Sequence, residues 1–238
     1  DIGDVKLWET ATGDLWRTIF AHADSVTAIG FSPDGRTLAS AGHYFAESKE
    51  GYTLVKAEAS FWSASSGKRA RCLRPSSSGD GASLCAISPD LALGALSTFV
   101  DGNPEASGLS LWSLRSGRRV RSLGPMTGAT AFSPDSRLVA VGSGDAATRS
   151  GGARVYDAST GGLRHALSEK GHWVRAVAFS PDGRLLASGG GAGTTILWDL
   201  ATGGKLRALT GQKGVVRAIA FSPDGRRIAT ASGPARRI

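Results

Sequence analysis

The sequence predicts an all-β protein in which short strands recur in a fixed order between two repeated turn signals. Three observations support this fold class. One tight-turn motif occurs five times, a second motif alternates with it, and the apolar runs between them are too short for helices. Such internal periodicity indicates a repeat architecture in which each repeat buries its apolar faces against its neighbours.

The first repeated motif is an apolar residue followed by Ser-Pro-Asp and usually glycine. FSPDG occurs at 31–35, 179–183 and 221–225, FSPDS at 132–136, and a weaker ISPDL at 87–91. Proline presets φ for a tight turn, aspartate bonds to nearby backbone, and glycine accommodates a positive φ. Each copy therefore predicts a turn that ends one strand and begins the next.

The second motif pairs an aromatic residue with a glycine five positions later. It reads LWETATG, FWSASSG, LWSLRSG, VYDASTG and LWDLATG along the chain. The constant spacing predicts a turn of fixed geometry after an aromatic strand. The aromatic positions are Trp8, Trp62, Trp112, Tyr156 and Trp198. We expect the four tryptophans among them to lie in the core.

The runs between the motifs predict the remaining strands. VTAIGF, VRAVAF and VRAIAF end on the phenylalanine that begins the first motif, whereas TLASAG, RLLASGG and RRIATAS follow the motif. Short runs bounded by turn residues are typical of strands. Stretches such as AVAF are apolar on both faces, so they must be covered on both sides, as happens when sheets stack face to face.

Four short strands per repeat, a period of about 40 to 55 residues and the Trp198-Asp199 dipeptide resemble the WD40 family of β-propellers. The resemblance implies blades of four antiparallel strands, lettered a to d from the axis outward, with each sequence repeat straddling two blades. VRAVAF would be strand a, LLASGG strand b, TTILWD strand c and LRALTG strand d. The implied fold is a β-propeller of four complete blades plus one split between the termini. One domain would span 1–238, with repeat anchors at 1–13, 14–67, 68–117, 118–161, 162–203 and a partial repeat at 204–238.

The chain begins in a predicted strand c, DVKLWE, and stops where the next strand c should begin. The two ends could complete one another and close a five-bladed ring. Alternatively, the sequence is a piece of a longer protein that contains further repeats or an attached domain. The second interpretation is favoured by the missing initiator methionine and the stop within a repeat.

The resemblance also implies a hydrogen-bonded network in each blade. It would join a histidine before strand a, a Ser or Thr in strand b, an aspartate in the b–c turn and the strand c tryptophan. His22 occupies the histidine position, whereas Lys170 and Gln212 hold it in two later repeats, and the aspartate position near Ala192 is empty. We therefore expect incomplete networks and blades stabilised mainly by packing.

The repeats differ most between strands b and c, at 42–57, 98–107 and 143–152. Loop insertions on a rigid scaffold commonly carry binding function, and exposed aromatics beside charges are typical of protein-binding hot spots. The predicted function is a non-catalytic scaffold that binds a protein or peptide partner through the b–c loop face. The candidate residues are Tyr44, Phe45, Lys49, Glu50, Tyr52, the adjacent Phe99 and Val100, Asp101, Asn103 and Trp173. The alternative is that the rings of the first insertion form its own small hydrophobic cluster.

Catalytic signals are weak in this sequence. The four histidines, at 22, 43, 165 and 172, form no H-E-x-x-H motif, and the two cysteines, Cys72 and Cys85, form no C-x-x-C pair. GGGAGTT at 189–195 is not followed by the Lys-Ser/Thr pair of a phosphate-binding loop. We predict no enzymatic activity, no cofactor and no metal site, with both cysteines as buried reduced thiols.

The basic composition, a net charge of +8 and a pI near 10.0, would suit an anionic partner. Arg69, Arg71, Arg119 and Arg121 alternate along predicted outer strands, where cations discourage strand addition by other chains. Nucleic acid or another polyanion is the less favoured partner, because no aromatic stacking residues interleave with these arginines. The longest apolar run, 91–100, is about half a membrane span. We expect no membrane association and a cytoplasmic location.

A second function remains open from the sequence. The regular FSPDGR-LAS style and the Gly/Ala/Arg-rich composition resemble bacterial WD40 arrays, which are often attached to Ser/Thr kinase or protease-like domains. This resemblance implies a sensor or substrate-docking module of a larger enzyme.

Overall fold

The computed structural model describes residues 3–23, 25–47, 53–74, 81–99, 108–124, 128–145, 150–168 and 173–234. At 43–47, 53–57, 81–84, 98–99, 145, 150 and 192 only the backbone is described. The chain divides into two compact units, which we call unit 1 (Asp1–Pro125) and unit 2 (Met126–Ile238).

The described residues of unit 1 form ten strands, which pair antiparallel with their chain neighbours within each sheet. They are β1 (Asp4–Trp8), β2 (Leu15–Phe20), β3 (Val26–Phe31), β4 (Thr37–Glu47), β5 (Thr53–Ser63), β6 (Arg69–Leu73), β7 (Gly81–Ile87), β8 (Leu93–Phe99), β9 (Gly108–Ser113) and β10 (Arg119–Gly124). They form one two-stranded sheet, β1–β2, and two four-stranded sheets, β3–β6 and β7–β10. A single parallel contact between Val55 of β5 and Gly81 of β7 connects the two larger sheets.

The described residues of unit 2 also form two four-stranded sheets and one two-stranded sheet, but here the two-stranded sheet comes last along the chain. The described strands of unit 2 are β11 (Thr130–Phe132), β12 (Leu138–Asp145), β13 (Ser150–Asp157), β14 (Leu163–Ser168), β15 (Val174–Phe179), β16 (Leu185–Gly190), β17 (Thr195–Asp199), β18 (Lys205–Leu209), β19 (Val215–Phe221) and β20 (Ile228–Gly233). They form sheets β11–β14, β15–β18 and β19–β20. The prediction of four complete four-stranded sheets, with two strands over at each end of the sequence, is confirmed. We letter the strands of each complete sheet a to d.

The a–b turns are built alike in all five copies. In the first, Ser32 Oγ donates to Asp34 Oδ1 at 2.5 Å, the same carboxylate accepts the Arg36 amide at 3.0 Å, and Gly35 adopts a positive φ of 67°. Leu91 and Ser136 stand in the glycine position of two copies and adopt the same left-handed conformation, with φ of 56° and 61°. The turn geometry is therefore kept even where the residue is unfavourable for it.

The c–d turns are equally uniform. In every copy the glycine amide donates to the carbonyl of the residue four positions earlier at 2.8 Å, and the glycine has a positive φ between 67° and 78°. The five glycines are Gly13, Gly67, Gly117, Gly161 and Gly203. The constant spacing of the aromatic motif thus has the predicted cause.

Within each unit the sheets stack face to face, and the core lies between them. One cluster joins β1–β2 to β3–β6 around Trp62, another joins β3–β6 to β7–β10 around Trp112, and a third joins β11–β14 to β15–β18 around Trp198. These tryptophans are buried as predicted, and Tyr156 is buried as well. The prediction for Trp8 is wrong. It is 56% exposed, because no other described strand of unit 1 covers its face of β1.

Hydrogen bonds from outer strands tie neighbouring sheets together within each unit. Arg71 on β6 donates to the carbonyls of Leu114 at 2.6 Å and Arg115 at 2.9 Å, and Arg17 on β2 donates to the Ser65 carbonyl at 3.0 Å. His165 on β14 contacts the Leu200 carbonyl at 2.8 Å in the same way. Arg71 therefore connects two sheets, a role beyond the edge protection predicted for it. Arg69, Arg119 and Arg121 lie on outer strands, as expected.

The predicted insertions contain more strand than the sequence suggested. Segment 42–57 is not a long loop, because β4 and β5 pair residue by residue from Thr37–Ser63 to Glu47–Thr53. Likewise β12 and β13 pair as far as Asp145–Ser150, inside segment 143–152. Continued backbone pairing satisfies N–H and C=O groups that an irregular loop would leave to water. The b–c turns themselves lie outside the described residues in both places.

Candidate partner-binding surface

The structure describes only part of the predicted partner-binding set. Tyr44 and Phe45 lie on β4, where they pair with β5, and Phe99 ends β8; the backbone alone is described at these three positions. Trp173 lies just before β15, at the beginning of a strand a, and its side chain is half-buried. The other candidates, Lys49, Glu50, Tyr52, Val100, Asp101 and Asn103, lie outside the described residues.

The indole of Trp173 lies against the glycine-rich b–c turn of its own sheet. The main-chain carbonyl of Trp173 accepts a hydrogen bond from the Gly191 amide at 3.0 Å, and any side chain at Gly191 would overlap the indole ring. Any side chain at Gly190 would overlap the Trp173 carbonyl. GGGAGTT is thus a place of close approach, where the missing Cβ atoms make room for tryptophan. The segment forms a single 3₁₀ turn, Gly191–Gly193.

Close glycine contacts join this turn to the next strands of unit 2. Gly193, with a φ of 65°, lies against the Gln212 and Gly214 carbonyls, and Gly214 lies against the Gly233 carbonyl at the end of β20. The Ser232 hydroxyl donates to the Lys213 carbonyl at 3.1 Å. The b–c turn of β15–β18, the segment before β19 and the end of β20 therefore form one continuous surface. We call this edge of unit 2 the b–c end.

Three cations accompany Trp173 at the b–c end. The guanidinium of Arg175 stacks 5.2 Å from the Trp173 ring centroid, Lys213 is exposed, and Arg217 Nη2 donates to the Pro234 carbonyl at 2.8 Å. We call Trp173, Arg175, Lys213 and Arg217 the basic patch. The three cations were not among the residues predicted from the sequence, although the V-R-A repeat in VRAVAF and VRAIAF places Arg175 and Arg217 at equivalent positions of β15 and β19.

The acidic residues of this region lie at the opposite end of the sheets. Residues 173–234 contain three, Asp182, Asp199 and Asp224, all in a–b or c–d turns. Hydrogen bonds from Ser180 and the Arg184 amide lower the pKa of Asp182, and Ser222 and the Arg226 amide do the same for Asp224. Amide hydrogen bonds lower the pKa of Asp199. These carboxylates therefore stay charged well into the acidic range, and the two ends differ in charge.

Unit 1 contains a buried polar network that sequence analysis did not expect to be complete. Ser40 Oγ lies 2.8 Å from His22 Nε2 and accepts the Trp62 indole N–H at 2.8 Å. His22 Nδ1 lies 3.4 Å from Glu58 Oε1, and Arg74 donates to Glu58 Oε2 at 2.8 Å. Glu58, four residues before Trp62, provides a carboxylate for this network, so the expectation of incomplete networks is wrong for this sheet. The expectation failed because aspartate was sought in the b–c turn, whereas here glutamate acts from strand c.

The charge of Glu58 is maintained despite its burial. Burial alone would raise the pKa of this carboxyl, but hydrogen bonds from Arg74 and Cys72 and the positive charge of Arg74 outweigh that cost, so the pKa lies below its ordinary value. Cys72 and Cys85 are thiols rather than disulfide partners, partly rather than fully buried, and burial raises the pKa of both. Their thiolate character is correspondingly low.

The other sheets keep shorter versions of the network. Trp198 donates to Ser188 on strand b at 2.8 Å, whereas Trp112 donates at 2.8 Å to Ser110 on its own strand. Gln212, in the histidine position of the last repeat, hydrogen-bonds to the hydroxyl and the carbonyl of Thr230. The common element is a hydroxyl that satisfies a buried donor.

Among the described residues, no group of three His, Cys, Asp or Glu side chains is placed to hold a metal ion. Over the same part of the chain, the structure contains no helix with the length and hydrophobicity that crossing a bilayer requires.

The stacked four-stranded antiparallel sheets are of the kind that form β-propeller blades. The family model described as WD domain, G-beta repeat, matches residues 13–44, 163–199 and 203–233. These three regions of the chain are therefore WD40 repeats. The match 163–199 covers strand d of one sheet and strands a to c of the next, so a sequence repeat straddles two sheets as predicted. Proteins with these repeats are generally non-catalytic scaffolds for protein interaction. No curated protein gives a significant match.

Proposed function

We propose that this protein is a non-catalytic scaffold that binds a protein or peptide partner at the b–c ends of its sheets. The observation that carries the proposal is the long pairing of β4 with β5. Each of these strands has 11 residues, whereas the equivalent β16 and β17 have 6 and 5. The additional residues extend the sheet at its b–c end and include the aromatic candidates Tyr44 and Phe45.

Rigid strands are a better support for a binding surface than an irregular loop. A paired backbone loses little conformational entropy when a partner docks, so more of the contact energy contributes to affinity. Aromatic residues with adjacent charge supply the contacts that dominate many protein interfaces. In unit 2 the half-buried Trp173 provides an aromatic contact at a b–c end.

The test is capture of a partner by the purified protein, followed by direct titration with that partner once it is identified and purified. Replacing Tyr44, Phe45 and Tyr52 together by alanine should weaken binding at least tenfold and leave the melting temperature unchanged. A matched control replaces Phe20, Leu163 and Leu206, three exposed apolar residues on outer strands, by alanine. The control should bind as the native protein does. Undiminished binding by the Tyr44/Phe45/Tyr52 variant would exclude the proposed surface.

A further inference from the structure

We propose that the basic patch of unit 2 binds an acidic peptide segment of a partner protein. The inference rests on the proposed function and specifies the chemistry of the partner at one b–c end. In this arrangement, peptide carboxylates pair with Arg175 and Arg217, and an apolar side chain of the peptide packs on Trp173.

The separation of charge is the first support. Residues 173–234 place Arg175, Lys213 and Arg217 at the b–c end, while all three aspartates of this segment lie at the opposite end. Charges within a Debye length, about 8 Å at physiological ionic strength, act together on an approaching ligand. An acidic chain is therefore attracted to the b–c end more strongly than to the opposite turns, where aspartates offset the neighbouring arginines.

The geometry of the two arginines is the second support. The guanidinium carbon of Arg175 lies over the Trp173 ring, 5.2 Å from the ring centroid. A guanidinium can form two parallel N–H bonds to a carboxylate. Arg217 is held at the Pro234 carbonyl, and its Nε lies about 3.0 Å from where a Cβ on Gly233 would be. Both cations are thus positioned before a ligand arrives, which reduces the entropy lost on binding.

The aromatic content favours a peptide over a nucleic acid. Proteins that bind single strands stack successive bases on several aromatic side chains. Residues 173–234 contain four aromatics, of which Phe179 and Phe221 end strands at the a–b turns and Trp198 is buried. Trp173 alone lies at the b–c end of this segment. A single indole with cations at the same end of the segment suits one apolar side chain flanked by carboxylates.

The experiment is a fluorescence anisotropy titration of the full chain with a labelled decapeptide in which glutamates flank a central leucine pair. The same peptide with glutamine for glutamate and a labelled DNA duplex are the comparison probes. The test variant is Arg175→Gln with Arg217→Gln. The matched control is Arg184→Gln with Arg226→Gln, which removes equal charge from two a–b turns at the opposite end.

We expect the acidic peptide to bind, the glutamine peptide to bind at least tenfold more weakly, and the affinity for the acidic peptide to fall as salt is raised. The Arg175/Arg217 variant should lose at least tenfold in affinity and the control less than twofold. Trp173→Phe should keep most of the affinity, and Trp173→Ala should lose several-fold. Equal losses in the two double variants would overturn the inference, because they would indicate attraction to net charge alone. Tighter binding of DNA than of the peptide, with the same dependence on Arg175 and Arg217, would also overturn it.

The outcome separates this inference from the proposed function. If partner capture depends on Tyr44, Phe45 and Tyr52 but the acidic peptide does not bind, the scaffold function stands and the acidic chemistry is wrong. If the peptide binds as expected but no partner is lost in the triple variant, the proposed surface on β4–β5 is wrong and the basic patch stands alone.

Discussion

Sheets β3–β6 and β15–β18 bury an equivalent tryptophan, Trp62 or Trp198, to nearly the same extent, 6% and 4% exposed. Each indole donates to a strand b serine at 2.8 Å. Beyond that bond the sheets differ. Around Trp62 the network continues through His22 to Glu58 and Arg74, whereas Trp198 packs in an aliphatic cluster that includes Leu186.

The same two sheets also differ in the side chain that lies beside the strand b glycine at the b–c end. Gly42 of β4 and Gly190 of β16 each pair with the first valine of a strand a. The His22 ring lies against Gly42 and is buried, but the Trp173 ring lies beside Gly190 against Gly191 and is half-buried. The buried histidine therefore contributes to the polar network of one sheet, whereas the tryptophan of the other remains partly exposed to solvent.

Loss of the serine hydroxyl that accepts the indole N–H should have the largest effect on stability, and the effect should differ between the two sheets. Ser40→Ala should lower the free energy of unfolding of unit 1 by about 2–4 kcal/mol, because His22 and Trp62 both lose a buried partner. Ser188→Ala should cost unit 2 about 1–2 kcal/mol through the Trp198 indole. Urea unfolding combined with hydrogen exchange would measure each unit separately. Equal losses would show that the longer network adds no stability.

Removing the carboxylate should have a smaller effect. Glu58→Gln should cost unit 1 about 1–2 kcal/mol near neutral pH, because Arg74 loses a charged acceptor but is exposed enough to regain water. Thr194 is the residue four before Trp198, so Thr194→Val is the matched change in the other sheet and should cost less than Glu58→Gln. The same urea series measures both changes. If Glu58→Gln left the free energy of unfolding unchanged, the cost of burying the carboxylate would equal the gain from its hydrogen bonds.

The next largest difference between the two sheets should be the loss of stability in acid, which Glu58 adds to sheet β3–β6. The folded pKa of Glu58 lies below its ordinary value of 4.5, so its contribution is complete above that pH and is lost as the pH falls through the folded pKa. Melting temperatures between pH 7 and pH 3 should fall more steeply for the native protein than for Glu58→Gln. The turn aspartates, whose pKa values are also lowered, contribute the same slope to both proteins. Identical slopes would contradict the role given to Glu58.

The smallest effect should be a gain at an a–b turn, where the sheets are alike. Ser136→Gly should raise the free energy of unfolding of unit 2 by about 0.5–1 kcal/mol, because serine is held at a φ of 61° that glycine adopts without strain. Gly183→Ser at the equivalent turn of β15–β18, where φ is 71°, should cost a similar amount. Chemical denaturation measures both changes, and effects of the same sign would exclude backbone strain as their cause.

Sequence reasoning succeeded where the determinants are local. Strand number and order follow from Ser-Pro-Asp-Gly and aromatic-glycine turns, whose hydrogen bonds form within about five residues. It was less successful at the candidate site. The length of β4 and β5 could not be predicted, because GHYFAESKEGYTLVKA has no periodic pattern to distinguish strand from loop. Arg175 and Arg217 occupy equivalent positions of a repeat that is visible in the sequence. Their positions beside Trp173 and the Pro234 carbonyl, however, follow from the fold and could not be predicted from that repeat.

The sequence by itself determined that this is an all-β WD40-repeat chain with four complete four-stranded sheets. Turn signals and alternating apolar runs act over a few residues, so they need no distant partner to be recognised. The tertiary structure alone decided that Trp8 is exposed while Trp62 is buried, and that Glu58 completes a network. Each of these depends on which sheet stacks on which face, and stacking brings together residues far apart in the chain.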